Sequence, residues 1–465
     1  MSEKLLMLAT YIVVSQQVEP ERFGLLVLVF LIIELLGYVA SFGVSENIIR
    51  HPTAEPRFLA SCFRFCSYIS AAVVAVMLLL VTPLAWNFSG MELAELVALM
   101  ALQPALNCFT GFYLGLLQRD MRFREIALRT TIIAFLSGGT GIALALSGFG
   151  IYSLIAGRYV YSIADLILLK RFTGYRNRAS ADPQEIVGIW RFGWKLSLSQ
   201  LFNFSSTKIF EIFTVSFLGP ASLALLDVGR KFIVTVQRVV LTPLSSVAMA
   251  YVARSEEPAA AFVRFTRFTS LLLIPVTAAL GALADPLILL FFGAEYARSG
   301  YVLELFALAS CIQVALWFAP SILIKQGRSD SVLTLQTINL VVVSLVCVAA
   351  WLISEGLESF LALAVAGIFI SGFVRLAICT AIARLPWAAI VGLLLTVAAV
   401  YGYFYLASQW LFSLWASDAD GPVWMFAKMA AASLAAALPY LPLLIWMALR
   451  EKRLLQSLSR RNQPS

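Results

Sequence analysis

The sequence predicts an all-α integral membrane protein with about fourteen transmembrane helices. Of 465 residues, 61% are hydrophobic and 13% charged, with a mean hydropathy of +0.88, which sets the chain well above the roughly 45–50% apolar content of soluble domains. Apolar runs of about 20 residues, long enough to cross a hydrocarbon core of about 30 Å, recur along its length. Connections rich in Arg and Lys alternate with connections that have almost none, the pattern expected when positive loops stay cytoplasmic.

The first run, MSEKLLMLATYIVVSQQ, has no small-residue cleavage site and reads as a short first span, not a signal peptide. Spans two to six centre near Glu34, Val76, Ala105, Leu136 and Ala164. Spans seven to ten centre near Thr207, Val236, Pro275 and Cys311, and the last four near Leu345, Ile368, Leu395 and Ala435. WNFSGMELAE, SGFG, LGPAS, SEGLE and SQWLFSLWASDADGPVW carry no Lys or Arg; Arg22 and Arg298, the two exceptions on that side, each sit beside acidic residues. The opposite connections, among them LQRDMRFREIALR and ARSEEPAAAFVRFTR, are basic. This alternation puts both termini in the cytoplasm and requires an even number of spans.

The longest hydrophilic connection contains Pro183 and divides the chain. The expected organisation is an N-terminal six-helix lobe over residues 1–172, a cytoplasmic linker over 173–189 and a second six-helix lobe over 190–384. Two further helices over 385–450 and a basic cytoplasmic tail over 451–465 complete it. GIYSLIAG from Gly150 and GLESFLAL from Gly356 each open an even-numbered span after a short turn, a faint internal repeat.

Enzyme chemistry finds little material. One histidine, His51, argues against a His-based metal site or a Ser-His-Asp triad. GIWRFGWKLS places Trp194 between Gly193 and Lys195 and so fails the phosphate-loop pattern, leaving no support for ATP hydrolysis. The six cysteines lie in or beside apolar runs and read as packing residues. A net charge of +8 belongs to the topology-setting loops and does not indicate nucleic acid.

The candidate site residues are polar side chains inside spans, where ionisable groups cost about 2.5 to 3.5 kcal/mol and face a partner or water. In span seven Gln200, Asn203, Thr207, Glu211 and Thr214 recur at spacings of three and four on one helix face, with Lys208 beside it. In span eight Asp227, Lys231 and Arg238 share a narrow arc that Arg230 widens. Glu34, Tyr38, Ser41 and Ser45 share a face of span two, and Arg158, Ser162 and Asp165 a face of span six. Lys208 with Glu211, and Arg230 with Asp227, are spaced as neutralising i,i+3 pairs. Four cations against two acids on spans seven and eight still leave a positive surplus of about two, suited to an anionic ligand such as a phosphate. Arg50, Lys170 and Arg384 lie at span ends and are expected to snorkel, with Arg375 intermediate.

VEPERFGLLVLVFLIIELLGYVASFGVSENIIR, LLQRDMRFREIALR, GFGIYSLIAGRYV and FLGPASLALLDVGRKF resemble the recurring segments of bacterial Wzx-type polysaccharide flippases. That group belongs to the superfamily that includes MATE-type multidrug antiporters and the lipid II flippase. The resemblance runs from about Val18 to Arg384 and implies two six-helix lobes in a V around a central cavity. It implies a substrate of oligosaccharide repeat units on a polyprenyl pyrophosphate, moved to the periplasmic leaflet of the bacterial inner membrane for exopolysaccharide, O-antigen or capsule assembly. Lys208, Arg230, Lys231, Arg238 and Arg158 are then expected to hold pyrophosphate and acidic sugar groups, and Gln200, Asn203 and Tyr38 the sugar hydroxyls. Glu34, Asp165 and Glu211 are the acids able to take a coupling proton or sodium ion, with no other cofactor. Membrane lipids, a polysaccharide polymerase and export machinery are the expected partners. The chain departs from the family pattern in its short first span and in placing Lys208 beside Glu211 where an acid alone is common. A drug or cation antiporter of the same fold, a membrane polymerase or ligase, and a non-transporting scaffold are the alternatives; the positive surplus speaks against the first, the lack of a large external loop against the second, and the buried cations against the third.

Overall fold

The computed structural model describes residues 2–51, 55–177, 179–255, 257–326, 328–354, 356–415, 422–440 and 442, and the side chains of Lys195, Asn203 and Lys325, among others, lie outside the described set. The expected basic tail, 451–465, also lies outside it. The described residues hold helices and no strand. The N-terminal helices are α1 (Ser2–Ser15), α2 (Pro20–Ser41), α3 (Val44–Arg50), α4 (Pro56–Val76), α5 (Thr82–Leu99), α6 (Gln103–Arg119), α7 (Phe123–Leu146) and α8 (Ile151–Thr173). The long stretch α9 (Pro183–Arg254) follows. After it come α10 (Pro258–Ala282), α11 (Ala284–Phe292), α12 (Ser299–Trp317), α13 (Ala319–Lys325), α14 (Ser329–Ile353), α15 (Leu357–Ala383), α16 (Trp387–Trp415) and α17 (Pro422–Ala437).

Among the described residues, eleven stretches are long and apolar enough to cross a membrane. Two of them, Pro56–Arg119 with 64 residues and Thr207–Ser245 with 39, exceed what one crossing needs. Each breaks at a glycine in the left-handed half of backbone space, Gly90 at φ 78° and Gly219 at φ 82°, where a side chain would be strained. Counting those two stretches twice and adding the short α1 agrees with about fourteen spans. Gly219 splits α9 into a first arm before it and a second arm after it.

The chain separates into two compact units, Met1–Ala224 and Leu225–Ser465. The first unit extends past the linker expected over 173–189, and that linker and the first arm of α9 are fastened to it. Arg57 pairs with Asp182 at 3.1 Å, and Ser61 donates to Glu185 at 2.8 Å. Tyr175 packs edge-on to Phe112 at 5.2 Å, and burial there pushes its phenol up to about 12. The hydrophilic composition that suggested a spacer describes the solvated side of this segment and not its anchors.

Small residues set the close helix contacts, as in other membrane bundles. The buried stripe of α7 comprises Arg129, Ile133, Ala134, Ser137, Gly138, Gly141 and Ala145. A Cβ on Gly141 would press on Thr10 of α1, and one on Gly157 of α8 would sit 3.3 Å from the Ser137 carbonyl. In the C-terminal unit Gly372 of α15 admits Ile312 of α12, and Gly281 of α10 lies under Tyr401 of α16 and Ala307 of α12. The added pair α16 and α17 docks on α10, with Tyr440 donating to the Leu271 carbonyl at 3.1 Å and its ring edge-on to Phe404 at 5.2 Å. All six cysteines are free thiols, and five are buried.

Helix directions within each unit follow the alternation of loop charge. Tyr159 reaches the carbonyl of Leu99, at the end of α5, at 2.5 Å and Gln103 of α6 reaches Ser162 at 3.0 Å, so the fourth span, made of the end of α5 with α6, runs parallel to α8, the sixth. The second arm of α9 and α12, the eighth and tenth, also run parallel: Gln237 donates to Gln313 at 3.3 Å and Trp317 to Ser245 at 3.0 Å. The second and seventh spans run antiparallel, as the candidate site makes evident.

Candidate functional site

In the N-terminal unit α2 and the first arm of α9 meet along the two polar stripes read separately from the sequence. Ser41 donates to Gln200 at 3.3 Å, the Tyr38 and Phe204 rings lie 5.7 Å apart, and Lys208 Nζ sits 3.6 Å from Glu34 Oε2. The numbers rise on one helix as they fall on the other, so the helices are antiparallel. Glycines permit the approach at both ends. A Cβ at Gly24 would overlap the Pro220 backbone, and one at Gly193 would overlap Phe42.

Charge within this seam differs from the expected balance. Lys208 Nζ is also 3.4 Å from Glu211 Oε1, so the anticipated i,i+3 pair forms, and Glu34 joins it from α2. Two carboxylates thus face one ammonium. The Glu211 side chain is 5% exposed, Lys208 23% and Glu34 42%, which grades the cluster from buried to accessible. Lys208 therefore does not contribute to a cationic surplus; its sequence neighbours suggested one because Glu34 is distant along the chain. Thr214 is buried, Gln200 and Tyr38 half-buried and Thr207 exposed, while the side chain of Asn203 lies outside the described set.

Behind this seam α6, α7 and α8 hold a second polar group. Arg129 Nε lies 3.2 Å from Asp165 Oδ1, with both side chains more than nine-tenths buried. Ser162 accepts from Gln103 at 3.0 Å and donates to Asn107 at 3.5 Å. The Arg158 guanidinium covers the Phe30 ring of α2 at 3.7 Å, a cation–π arrangement. Asp165, expected as a coupling acid, thus has a buried cationic partner that loop assignment had hidden: Arg129 belongs to LQRDMRFREIALR but falls on the buried stripe of α7. Gln103 and Asn107 were also missed, being single polar residues without a repeating stripe.

The second arm of α9 carries the remaining cations in the C-terminal unit. Asp227 Oδ2 lies 3.6 Å from Lys231 Nζ, an i,i+4 pair. The Arg230 guanidinium stands 5.2 Å from the Phe306 ring centre of α12, close because Gly229 lets α12 approach at Ser299 and Val302. Arg238 is exposed. Lys208 belongs to one compact unit and these three cations to the other. Of the span-end cations, Arg50 stacks on the Phe192 ring at 3.8 Å in place of simple snorkelling, and Arg375 donates from Nε to the Ser371 carbonyl at 3.3 Å. No group of three or more His, Cys, Asp or Glu suited to a metal occurs among the described residues.

Comparison with known proteins bears on what these groups serve. Residues 13–300 match a family model described as polysaccharide biosynthesis protein. Over 304 residues the chain is 26% identical to the succinoglycan biosynthesis transport protein ExoT of Rhizobium meliloti (strain 1021). That match covers 64% of this chain and 62% of the relative, so the chain spans about three-fifths of the curated relative's length. The fold is similar to the lipid II flippase MurJ in an inward closed conformation, with a TM-score of 0.70 at 14% identity over 95% of this chain and 98% of that one. It is similar also to an inward-facing multidrug resistance MATE family transporter of the MOP superfamily, at 0.66 and 16% identity over 82% and 94%.

Proposed function

The chain belongs to the polysaccharide biosynthesis protein family, and from that premise we propose that it is a flippase moving lipid-linked oligosaccharide repeat units from the cytoplasmic to the periplasmic leaflet. The observation that carries this reading is the loading of both arms of α9 with charged and polar side chains inside a MOP-type membrane fold. Such groups are costly at depth unless they meet a polar partner. A diphosphate and a sugar head group are partners of that kind, whereas the polyprenyl tail needs no polar route.

In this reading Arg230, Lys231 and Arg238 bind the diphosphate through charge-assisted hydrogen bonds. Tyr38, Gln200 and Asn203 bind sugar hydroxyls, and Arg158 takes acidic substituents of the sugar. Glu34 and Glu211 carry the coupling proton or sodium ion, with Lys208 as the internal cation that competes for them. Asp165 takes a lesser part, because Arg129 already balances its charge. The likeness to ExoT, a succinoglycan biosynthesis transport protein, supports an exopolysaccharide pathway with its polymerase as neighbour. The excess of carboxylate at Lys208 favours one second reading, export of an organic cation, which the family membership speaks against.

Replacing Arg230 and Arg238 together with Gln should stop polymer export while membrane insertion persists, with lipid-linked repeat units accumulating on the cytoplasmic leaflet. Normal export by that variant would remove both residues from the route. Cation-dependent drug extrusion with no effect on polymer would select the second reading.

A further inference from the structure

Arg267 stands apart from every group used above. It lies nine residues into α10, about 14 Å along the axis from Pro258, inside a stretch long and apolar enough to span a membrane. Its Nε is buried with no hydrogen-bond partner, and among the described residues Arg267 has no ion pair or ring contact. The acids nearby are far along the helix. The helices against α10 include α11, α12, α13, α16, α17 and the second arm of α9, whose Tyr251 ring lies 5.8 Å from Phe265; α13, α16 and α17 contain no acid, Asp285 and Glu304 of α11 and α12 lie near its far end, and Asp227 of α9 is 24 residues from Tyr251. Glu304 Cα is 3.9 Å from the Cβ position of Gly281, fourteen residues from Arg267, and its carboxylate already accepts from Tyr405 at 2.6 Å. Glu257, the N-cap of the helix, lies ten residues before Arg267 in the other direction.

The guanidinium occupies a prepared place. Arg267 Nη2 lies 3.7 Å from where a Cβ would stand on Gly392 of α16, so it rests against a helix surface that carries no side chain there. The two helices run parallel, since Gly392 faces Arg267 and Tyr401 faces Gly281. Arg264 precedes Arg267 by one turn on the same face, and its Nε turns back to the Ala260 carbonyl at 3.3 Å, toward the start of the helix. Trp387, 56% exposed at the start of α16 and about 8 Å along the axis from Gly392, is the aromatic expected at headgroup depth on that side.

An uncompensated guanidinium at this depth needs an anion, and a planar fork beside a second arginine suits a phosphate. We propose that Arg264 and Arg267, at the Gly392 face of α16, bind the phosphate of a membrane lipid in the leaflet that meets the starts of α10 and α16. The site is independent of the transport reading, because binding is measured without transport.

The test uses the full-length protein in detergent with phosphatidylglycerol as probe and phosphatidylcholine as comparison, read by native mass spectrometry and by the thermal midpoint. Wild type should retain phosphatidylglycerol preferentially and be stabilised by it. Arg267→Gln should weaken retention about tenfold, the scale of a lost charge-assisted hydrogen bond. Arg267→Lys should fall between, and Gly392→Leu, which keeps both charges but fills the space, should weaken retention as far as Arg267→Gln. Competition with polyprenyl diphosphate identifies the source: displacement assigns the site to a carrier lipid's diphosphate, persistence to a bilayer phospholipid. Equal retention of both phospholipids by wild type, or undiminished binding by Arg267→Gln, overturns the site without bearing on transport.

Discussion

Lys208 on the first arm of α9 reaches Glu34 on α2 at 3.6 Å, joining two helices whose positions in the chain are 174 residues apart. The same ammonium serves Glu211, whose side chain is nearly enclosed. The two contacts differ in worth. A pair with an exposed partner contributes about 0–1 kcal/mol, while leaving a buried carboxylate without its cation costs about 3–5 kcal/mol. Lys208→Met should therefore lower the thermal midpoint much more than Glu34→Gln does. The pairing is tested by the exchange Glu34→Lys with Lys208→Glu, which should leave Glu211 a cation and recover most of the lost stability. A midpoint for Lys208→Met no lower than that of Glu34→Gln would show that Lys208 does not hold Glu211.

Arg129 and Asp165 are expected to behave as a structural pair. Both are more than nine-tenths buried, so either Arg129→Gln or Asp165→Asn alone should cost several kcal/mol, about 3–5 for a broken buried pair. Replacing both with apolar residues, Arg129→Met with Asp165→Leu, should restore stability and retain transport. Loss of transport in a stable double variant would instead return Asp165 to the coupling acids.

Gly24 fixes how closely α2 meets α9. Any Cβ there would overlap the Pro220 backbone, which cannot rotate away as a side chain tip could. Gly24→Ala should destabilise by at least the 1–3 kcal/mol typical of overpacking, and it should weaken transport by displacing the Lys208 seam. Gly111→Ala on α6 is the control, because nothing lies within 4 Å of its added methyl; removing a helix-interior glycine there should raise stability by about 0.5–1 kcal/mol.

The seam was legible in the sequence because its residues repeat. Gln200, Lys208 and Glu211, and Glu34, Tyr38 and Ser41, each follow helical spacing inside an apolar run, and the structure joins the two stripes. Partners that occur once are silent in a linear reading. Arg129 looked like a loop cation because Arg119, Arg122 and Arg124 precede it closely, and only its phase with Ile133, Ser137 and Gly141 marks it as buried. Hydrophilic composition marks where a segment meets water, but Asp182, Glu185 and Tyr175 show that one side of the same segment is bound to α4 and α6. The approach of Arg230 to Phe306 on α12 joins residues 76 apart and has no signal in the linear pattern.

Arg230, Lys231 and Arg238 should separate by what each loses on mutation. Arg238 is exposed and Lys231 is held by Asp227, whereas Arg230 covers an aromatic ring of α12. Arg238→Gln should leave the thermal midpoint nearly unchanged, as exposed substitutions do within about 0.5 kcal/mol, yet reduce polymer export if it binds diphosphate. Arg230→Gln should reduce both, since a partly desolvated cation–π contact contributes roughly 0.5–2 kcal/mol. Lys231→Gln leaves Asp227 without that ammonium, so Asp227→Asn in the same chain should restore stability without restoring export. The decisive quantity is export per inserted molecule. If Arg238→Gln exports polymer at the wild-type rate, exposure on α9 is only a solvated surface, and the diphosphate contacts must come from Arg230 and Lys231 alone.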